Sequence, residues 1–117
     1  MFRRMRKPDL NGPYSTGISA ESLGMGKMVR IKINGQAAVL TKSIEGVMSF
    51  DDACPHGAAS LSQGSLRNQS VCCPEHGYCF DIRSGETAWP EDECYRLRIY
   101  TVKIEDGEIK LRFEGSG

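Results

Sequence analysis

Two short Cys/His pairs, Cys54-Pro-His56 and Cys73-Pro-Glu-His76, constrain this chain more than anything else in it. Sixteen residues separate His56 from Cys73, and each pair is followed by a glycine, Gly57 or Gly77. The pairs use the only two histidines in the protein. Two thiolates and two imidazoles in this order form a metal site, and the donor types suit either zinc or an iron–sulfur cluster.

The 117 residues suffice for one domain with one modest core. Fifteen basic residues balance fifteen acidic ones, so no overall field draws the chain to nucleic acid or to a membrane. No apolar stretch is long enough to span a bilayer. Residues 1–7 are basic with adjacent arginines, but a Pro- and Gly-containing segment follows where a twin-arginine export signal needs an apolar one. This start reads as a solvated or partner-contacting arm on a cytoplasmic protein. Five cysteines, an odd number without a signal peptide, argue against a disulfide framework. Cys54 and Cys73 are the ligand candidates. In an extended strand Cys72 points to the face opposite Cys73. Cys79, between Tyr78 and Phe80, is expected to pack as a small hydrophobe, and Cys94 to be a free thiol in a charged loop.

Residues 1–15 carry no apolar periodicity and form the expected flexible arm; the domain is read over 16–114, with a tail at 115–117. From Lys27 the pattern is β. Val29, Ile31 and Ile33 alternate with Arg30 and Lys32, and Asn34-Gly35 supplies a hairpin turn. Ala38 and Leu40 open the returning strand, Glu45-Gly46 turns the chain again, and Val47 to Phe50 leads into the metal loops. Strand character returns over 77–82, with a turn at Ser84-Gly85. Residues 96–104 make a long strand whose apolar phase shifts between Ile99 and Val102, as at a bulge or a crossing between sheets. Asp106-Gly107 is the last turn, before Ile109, Leu111 and Phe113. Residues 19–23, with Ser19 as cap, are the best helix candidate. Short antiparallel strands with regular turns predict an all-β sandwich or open barrel.

Iron takes thiolate readily, and imidazole can replace thiolate on one iron of a two-iron cluster. That replacement removes negative charge and makes the cluster easier to reduce. The proline after each cysteine stiffens its loop, and Gly57 and Gly77 permit close backbone approach to sulfur. With its sixteen-residue gap and following Phe80-Asp81 and Ser84-Gly85-Glu86, the motif resembles that of Rieske [2Fe–2S] proteins. The resemblance implies the Rieske fold, antiparallel sheets carrying a small cluster-binding subdomain made of two loops. It implies that Cys54 and Cys73 hold the inner iron and His56 and His76 the outer one, near the surface.

Rieske subunits of cytochrome complexes join the two ligand loops by a disulfide, and the corresponding positions here are Ala59 and Glu75. Those subunits also direct a Ser and a Tyr hydroxyl at sulfur, where this chain has Tyr78 and Phe80. The chain therefore resembles the disulfide-free, low-potential ferredoxins of bacterial aromatic-ring dioxygenase systems. That resemblance implies a monomeric electron carrier, not itself an enzyme, passing electrons from a flavin-dependent ferredoxin reductase to a terminal oxygenase through transient contacts. The small subunit of an assimilatory nitrite reductase is the alternative. A zinc module is a third reading, disfavoured because the spacing is unlike Cys-x₂₋₄-Cys and His-x₃₋₅-His fingers. Ser60, Ser62 and Ser65 have no spare histidine as base and read as turn residues. Trp89-Pro90 is expected in a loop covering the cluster, and the acidic run from Glu91 to Glu93 as a solvated loop.

Overall fold

The structure, a computed structural model, describes residues 12–75 and 77–113. The basic run at the start, His76 and the last four residues lie outside the described residues. Among the described residues ten strands form two antiparallel sheets. β1 (Tyr14–Ser19), β2 (Met28–Ile33), β3 (Gln36–Ser43), β4 (Gly46–Asp51), β9 (Ile99–Glu105) and β10 (Glu108–Arg112) make the larger, in the order β1-β10-β9-β4-β3-β2. Its outer strands β1 and β2 approach each other, which nearly closes the sheet into a barrel. β5 (Ser65–Arg67), β6 (Ser70–Cys72), β7 (Cys79–Asp81) and β8 (Thr87–Trp89) form the smaller sheet in sequential order. The all-β expectation, with a small subdomain beside a larger sheet, holds.

The hairpins form where the turn chemistry places them. Asn34 and Gly35 have φ of 51° and 83°, and Asp106 and Gly107 have 53° and 82°. These left-handed pairs match the right-handed twist of the strands they join. β3 supplies apolar side chains to both of its faces. Val39 packs with Phe50, Leu61, Val71, Phe80 and Leu97, whereas Ala38 and Leu40 pack with Leu23, Tyr100, Ile109 and Leu111. The first of these cores lies between the two sheets, and Cys54 and Cys73 belong to it. The candidate metal loops are thus anchored in the core between the two sheets.

Three local expectations change. Residues 19–23 form a turn, in which the Ser22 N–H donates to Ser19 Oγ at 3.0 Å, and not a helix. Five residues give too few hydrogen bonds to repay helix nucleation, while burial of Leu23 fixes the turn. Strand β1 opens at Tyr14, paired with Leu111, so sheet structure starts ahead of residue 16. The long strand expected over 96–104 is shorter, starting at Ile99. The residues before it belong to the other sheet's side: Arg96 bridges Glu86, the Leu97 N–H donates to the Gly85 carbonyl at 2.7 Å, and Leu97 packs in the inter-sheet core. The phase shift in the sequence marks this crossing.

Candidate metal centre

The two Cys-Pro loops are closed by the same pair of backbone hydrogen bonds. In the first, the Cys54 N–H donates to the Ala59 carbonyl at 2.8 Å, and the Ala58 N–H donates to the Cys54 carbonyl at 2.6 Å. In the second, the Cys73 N–H donates to the Tyr78 carbonyl at 2.7 Å, and the Gly77 N–H to the Cys73 carbonyl at 3.1 Å. The fourth residue after each cysteine takes the left-handed conformation, Ala58 at φ 63° and Gly77 at φ 73°. Gly57, expected to allow close approach to sulfur, does bring its amide to Cys54, but it does not take the left-handed position. The closure counts from the cysteine, so in the shorter Cys-x-His loop the role falls to an alanine.

Both loops deliver their thiols to one place. Cys54 and Cys73 are free cysteines, 2% and 3% exposed, and their side chains interact. Burial pushes the Cys54 thiol above its ordinary pKa, and the neighbouring Cys73 thiol acts in the same direction. Backbone N–H groups of Gly57 and His56 donate to the Cys54 sulfur and favour its negative form. Two adjoining buried thiols with amides directed at sulfur suit a metal whose positive charge takes the place of the protons. His56 is half-buried, and its ring packs on aromatic side chains. Among the described residues the structure brings the two thiols together but gathers no group of three candidate ligands; the donor chemistry, paired buried thiols with amides directed at sulfur and an imidazole on the same loop, fits a mixed-ligand two-iron cluster.

The base of the first loop is held by a residue the sequence reading did not single out. Buried Asp52 accepts from the Ser60 hydroxyl at 2.7 Å, the Ser62 N–H at 2.9 Å and Arg30 Nε at 3.0 Å. Burial alone would raise the Asp52 pKa, but these hydrogen bonds outweigh it and hold the carboxyl below the usual range. The Asp52 carbonyl also accepts from the Leu61 N–H at 2.6 Å. Ser60 and Ser62 are thus the turn residues expected; the available signal for Asp52 was an acid two residues before the ligand, facing serines eight and ten positions on. Gly64 then fits against the second loop. A Cβ at Gly64 would lie 1.9 Å from the Cys72 carbonyl oxygen and 3.2 Å from Pro74 Cδ.

Two of the five cysteines depart from the expectation. Cys72 and Cys79 form a disulfide, with their Cα atoms 4.0 Å apart. They are directly opposed in the β6–β7 ladder, so the strands on either side of the second loop bring them together. Cys79 is therefore not simply a small packing residue, and an odd cysteine count did not preclude a bridge. Neither residue is a ligand candidate, and the bond closes the base of the loop that runs from Cys73 to Tyr78. Cys94 is an exposed free thiol, as expected.

A second correction concerns what covers this end. Trp89 terminates β8 and is 56% exposed. The rings against His56 are Tyr78, stacked at 4.0 Å and 12°, and Tyr95, nearly perpendicular at 5.2 Å. Glu93, read as part of a solvated run, accepts a hydrogen bond from the Tyr78 hydroxyl at 2.9 Å.

Residues 16–101 match the family model of the Rieske [2Fe-2S] domain. The ferredoxin component of the p-cumate 2,3-dioxygenase system of Pseudomonas putida is 37% identical over 103 residues, covering 86% of this chain and 83% of that protein. The ferredoxin component of the naphthalene 1,2-dioxygenase/salicylate 5-hydroxylase systems of a Ralstonia species is 33% identical over 92 residues, or 76% and 85% of the two chains. Among solved structures, a complex of reduced oxygenase and oxidized ferredoxin in carbazole 1,9a-dioxygenase superposes with a TM-score of 0.72. Its identity is 26%, over 80% of this chain and 95% of that one. Sequence, fold and loop architecture agree over most of the length, and the chain belongs to the Rieske [2Fe-2S] family.

Proposed function

We propose that this chain is an electron carrier holding one [2Fe–2S] cluster between its two loops, and that it passes electrons from a flavin-dependent ferredoxin reductase to a terminal oxygenase. Cys54 and Cys73 would hold the inner iron, and His56 and His76 the outer iron. When bound, the group supplies a store for a single electron. The observation that carries this reading is the identical closure of the two loops around adjoining buried thiols. Relatives that are ferredoxin components of dioxygenase systems support the same role, and the family match sets the zinc reading aside.

The residues around the site do three things. Burial of both thiols keeps water from the inner side. The amides of His56 and Gly57 stabilise negative charge on the Cys54 sulfur. Tyr78 spends its hydroxyl on Glu93, and buried Phe80 has none to give, so neither sends a hydroxyl to sulfur. With fewer donors stabilising the reduced form, the potential belongs near the low end for this cluster type, about −150 mV. The docking face would lie around residues 57–59, Glu75, Gly77 and Tyr78, with the loop around Trp89-Pro90. A carrier that must release its partner quickly needs a small, transient interface, and a monomer in the cytoplasm fits that use. No helix among the described residues is long and apolar enough to cross a membrane.

Absorption and EPR spectra of the purified protein test the cofactor. Cys54→Ser, Cys73→Ser, His56→Ala and His76→Ala should each reduce or abolish cluster incorporation, while a colourless zinc protein would refute the reading. Cytochrome c reduction through a ferredoxin reductase tests the role. Isolation in a tight stoichiometric complex with a sirohaem enzyme would favour the nitrite-reductase subunit instead.

A further inference from the structure

Three separate segments meet at the His56 ring. Tyr78 belongs to the end of the second ligand loop, where its carbonyl accepts from the Cys73 N–H at 2.7 Å. Tyr95 belongs to the segment between β8 and β9, where its carbonyl accepts from the Thr87 hydroxyl. The two tyrosine rings also touch each other, 5.8 Å apart and tilted by 74°. Glu93, two residues before Tyr95, accepts the Tyr78 hydroxyl at 2.9 Å. The face of the imidazole is thus covered by one ring and flanked, almost at right angles, by another.

A histidine ligand donates along a lone pair in its ring plane, so its bond direction depends on both tilt and rotation of the ring. The terminal torsion of a histidine side chain is intrinsically broad and restrains neither strongly. A stacked ring opposes tilt, and a perpendicular neighbour opposes rotation. Groups behind a metal ligand commonly set its orientation in this way. We propose that Tyr78 and Tyr95 are positioning residues whose rings clamp the His56 imidazole in one orientation. The proposal rests on the reading of His56 as an iron ligand. It also connects the surface to the site, because Tyr95 is 38% exposed.

The test uses the iron-loaded full chain and three variants. Tyr78→Leu and Tyr95→Leu each remove one aromatic contact, whereas Tyr78→Phe keeps the ring and loses only the hydroxyl. The EPR line shape of the reduced protein reports ligand orientation, and the rate of iron loss to a ferrous chelator reports how firmly the ligand is held. Both leucine variants should broaden the EPR signal and hasten iron loss by about 3- to 10-fold, the worth of an aromatic pair. Tyr78→Phe should restore the wild-type line shape and stay within about 2-fold in rate. Because Tyr95 lies at the surface, Tyr95→Leu tests the clamp even if Tyr78→Leu fails to fold. Wild-type line shape and loss rate in the leucine variants that fold would overturn the clamp. A His56→Ala protein that retains the wild-type spectrum would instead overturn the ligand assignment beneath it.

Discussion

Gly64→Ala should separate the two metal loops. Gly64 follows the short 3₁₀ turn, Leu61–Gln63, that leads out of the first loop, and its Cα faces the backbone at the start of the second. The added methyl would sit 1.9 Å from the Cys72 carbonyl oxygen and 3.1 Å from its carbonyl carbon. Restoring normal contact requires one backbone to retreat by about 1 Å or more. That displacement falls on the residue next to Cys73, whose thiol must stay beside Cys54 for the pair to share a metal. Forcing extra volume into a packed region costs roughly 1–3 kcal/mol. For a domain of this size that corresponds to a fall in melting temperature of roughly 5–20 °C. Thermal unfolding by circular dichroism measures the first effect, and iron and sulfide per chain measure the second, which should fall below wild type. Gly35→Ala is the control. It strains a left-handed turn with nothing within 4 Å of the new methyl, so it should cost about 1 kcal/mol and leave iron content unchanged. A Gly64→Ala protein with wild-type melting and full iron content would refute the argument.

Removing the disulfide with paired Cys72→Ala and Cys79→Ala changes should lower stability by about 2.5 kcal/mol, the loop-entropy worth of so short a link. Urea unfolding of wild type treated with dithiothreitol should show the same loss, and the loaded variant should keep its visible spectrum; equal stability of oxidised and reduced wild type would contradict this. Asp52→Ala leaves the Ser60 hydroxyl, the Ser62 N–H and Arg30 without their acceptor and should cost about 2–4 kcal/mol in the same assay. Ser60→Ala should cost about 1 kcal/mol. Ala58→Gly removes a side chain from a left-handed residue at φ 63° and should raise stability by about 1 kcal/mol, seen as a melting temperature several degrees higher; a lower one would mean the strain is absent.

What the sequence made legible followed from short-range rules. Alternation at Val29, Ile31 and Ile33, and the Asn-Gly and Asp-Gly turns, depend on neighbours within a few residues, and β2, β3, β9 and β10 formed around them. The ligand motif was legible for the same reason, since each thiol and imidazole arises from one tight loop. Contacts between distant segments were not legible. Tyr95 reaches His56 only because the chain crosses from one sheet to the other at Arg96 to Arg98. Cys72 meets Cys79 because β6 and β7 pair in one register, and a shift by one residue would have parted them. Asp52 reads as a surface acid until Ser60 and Ser62 return beside it. The helix expected over 19–23 failed because a capping serine also initiates isolated turns.

The hydrogen bonds that close both loops, the Asp52 network and the Cys72–Cys79 link all join protein atoms to protein atoms. In small zinc modules the metal drives folding, so that chelation and denaturation are one event. Here protein-to-protein contacts share in ordering the loops, so folding and metal loading are expected to separate at least in part. Chelating the iron from a loaded sample while following far-UV circular dichroism checks this: strands that melt as the iron leaves would make folding and loading one event.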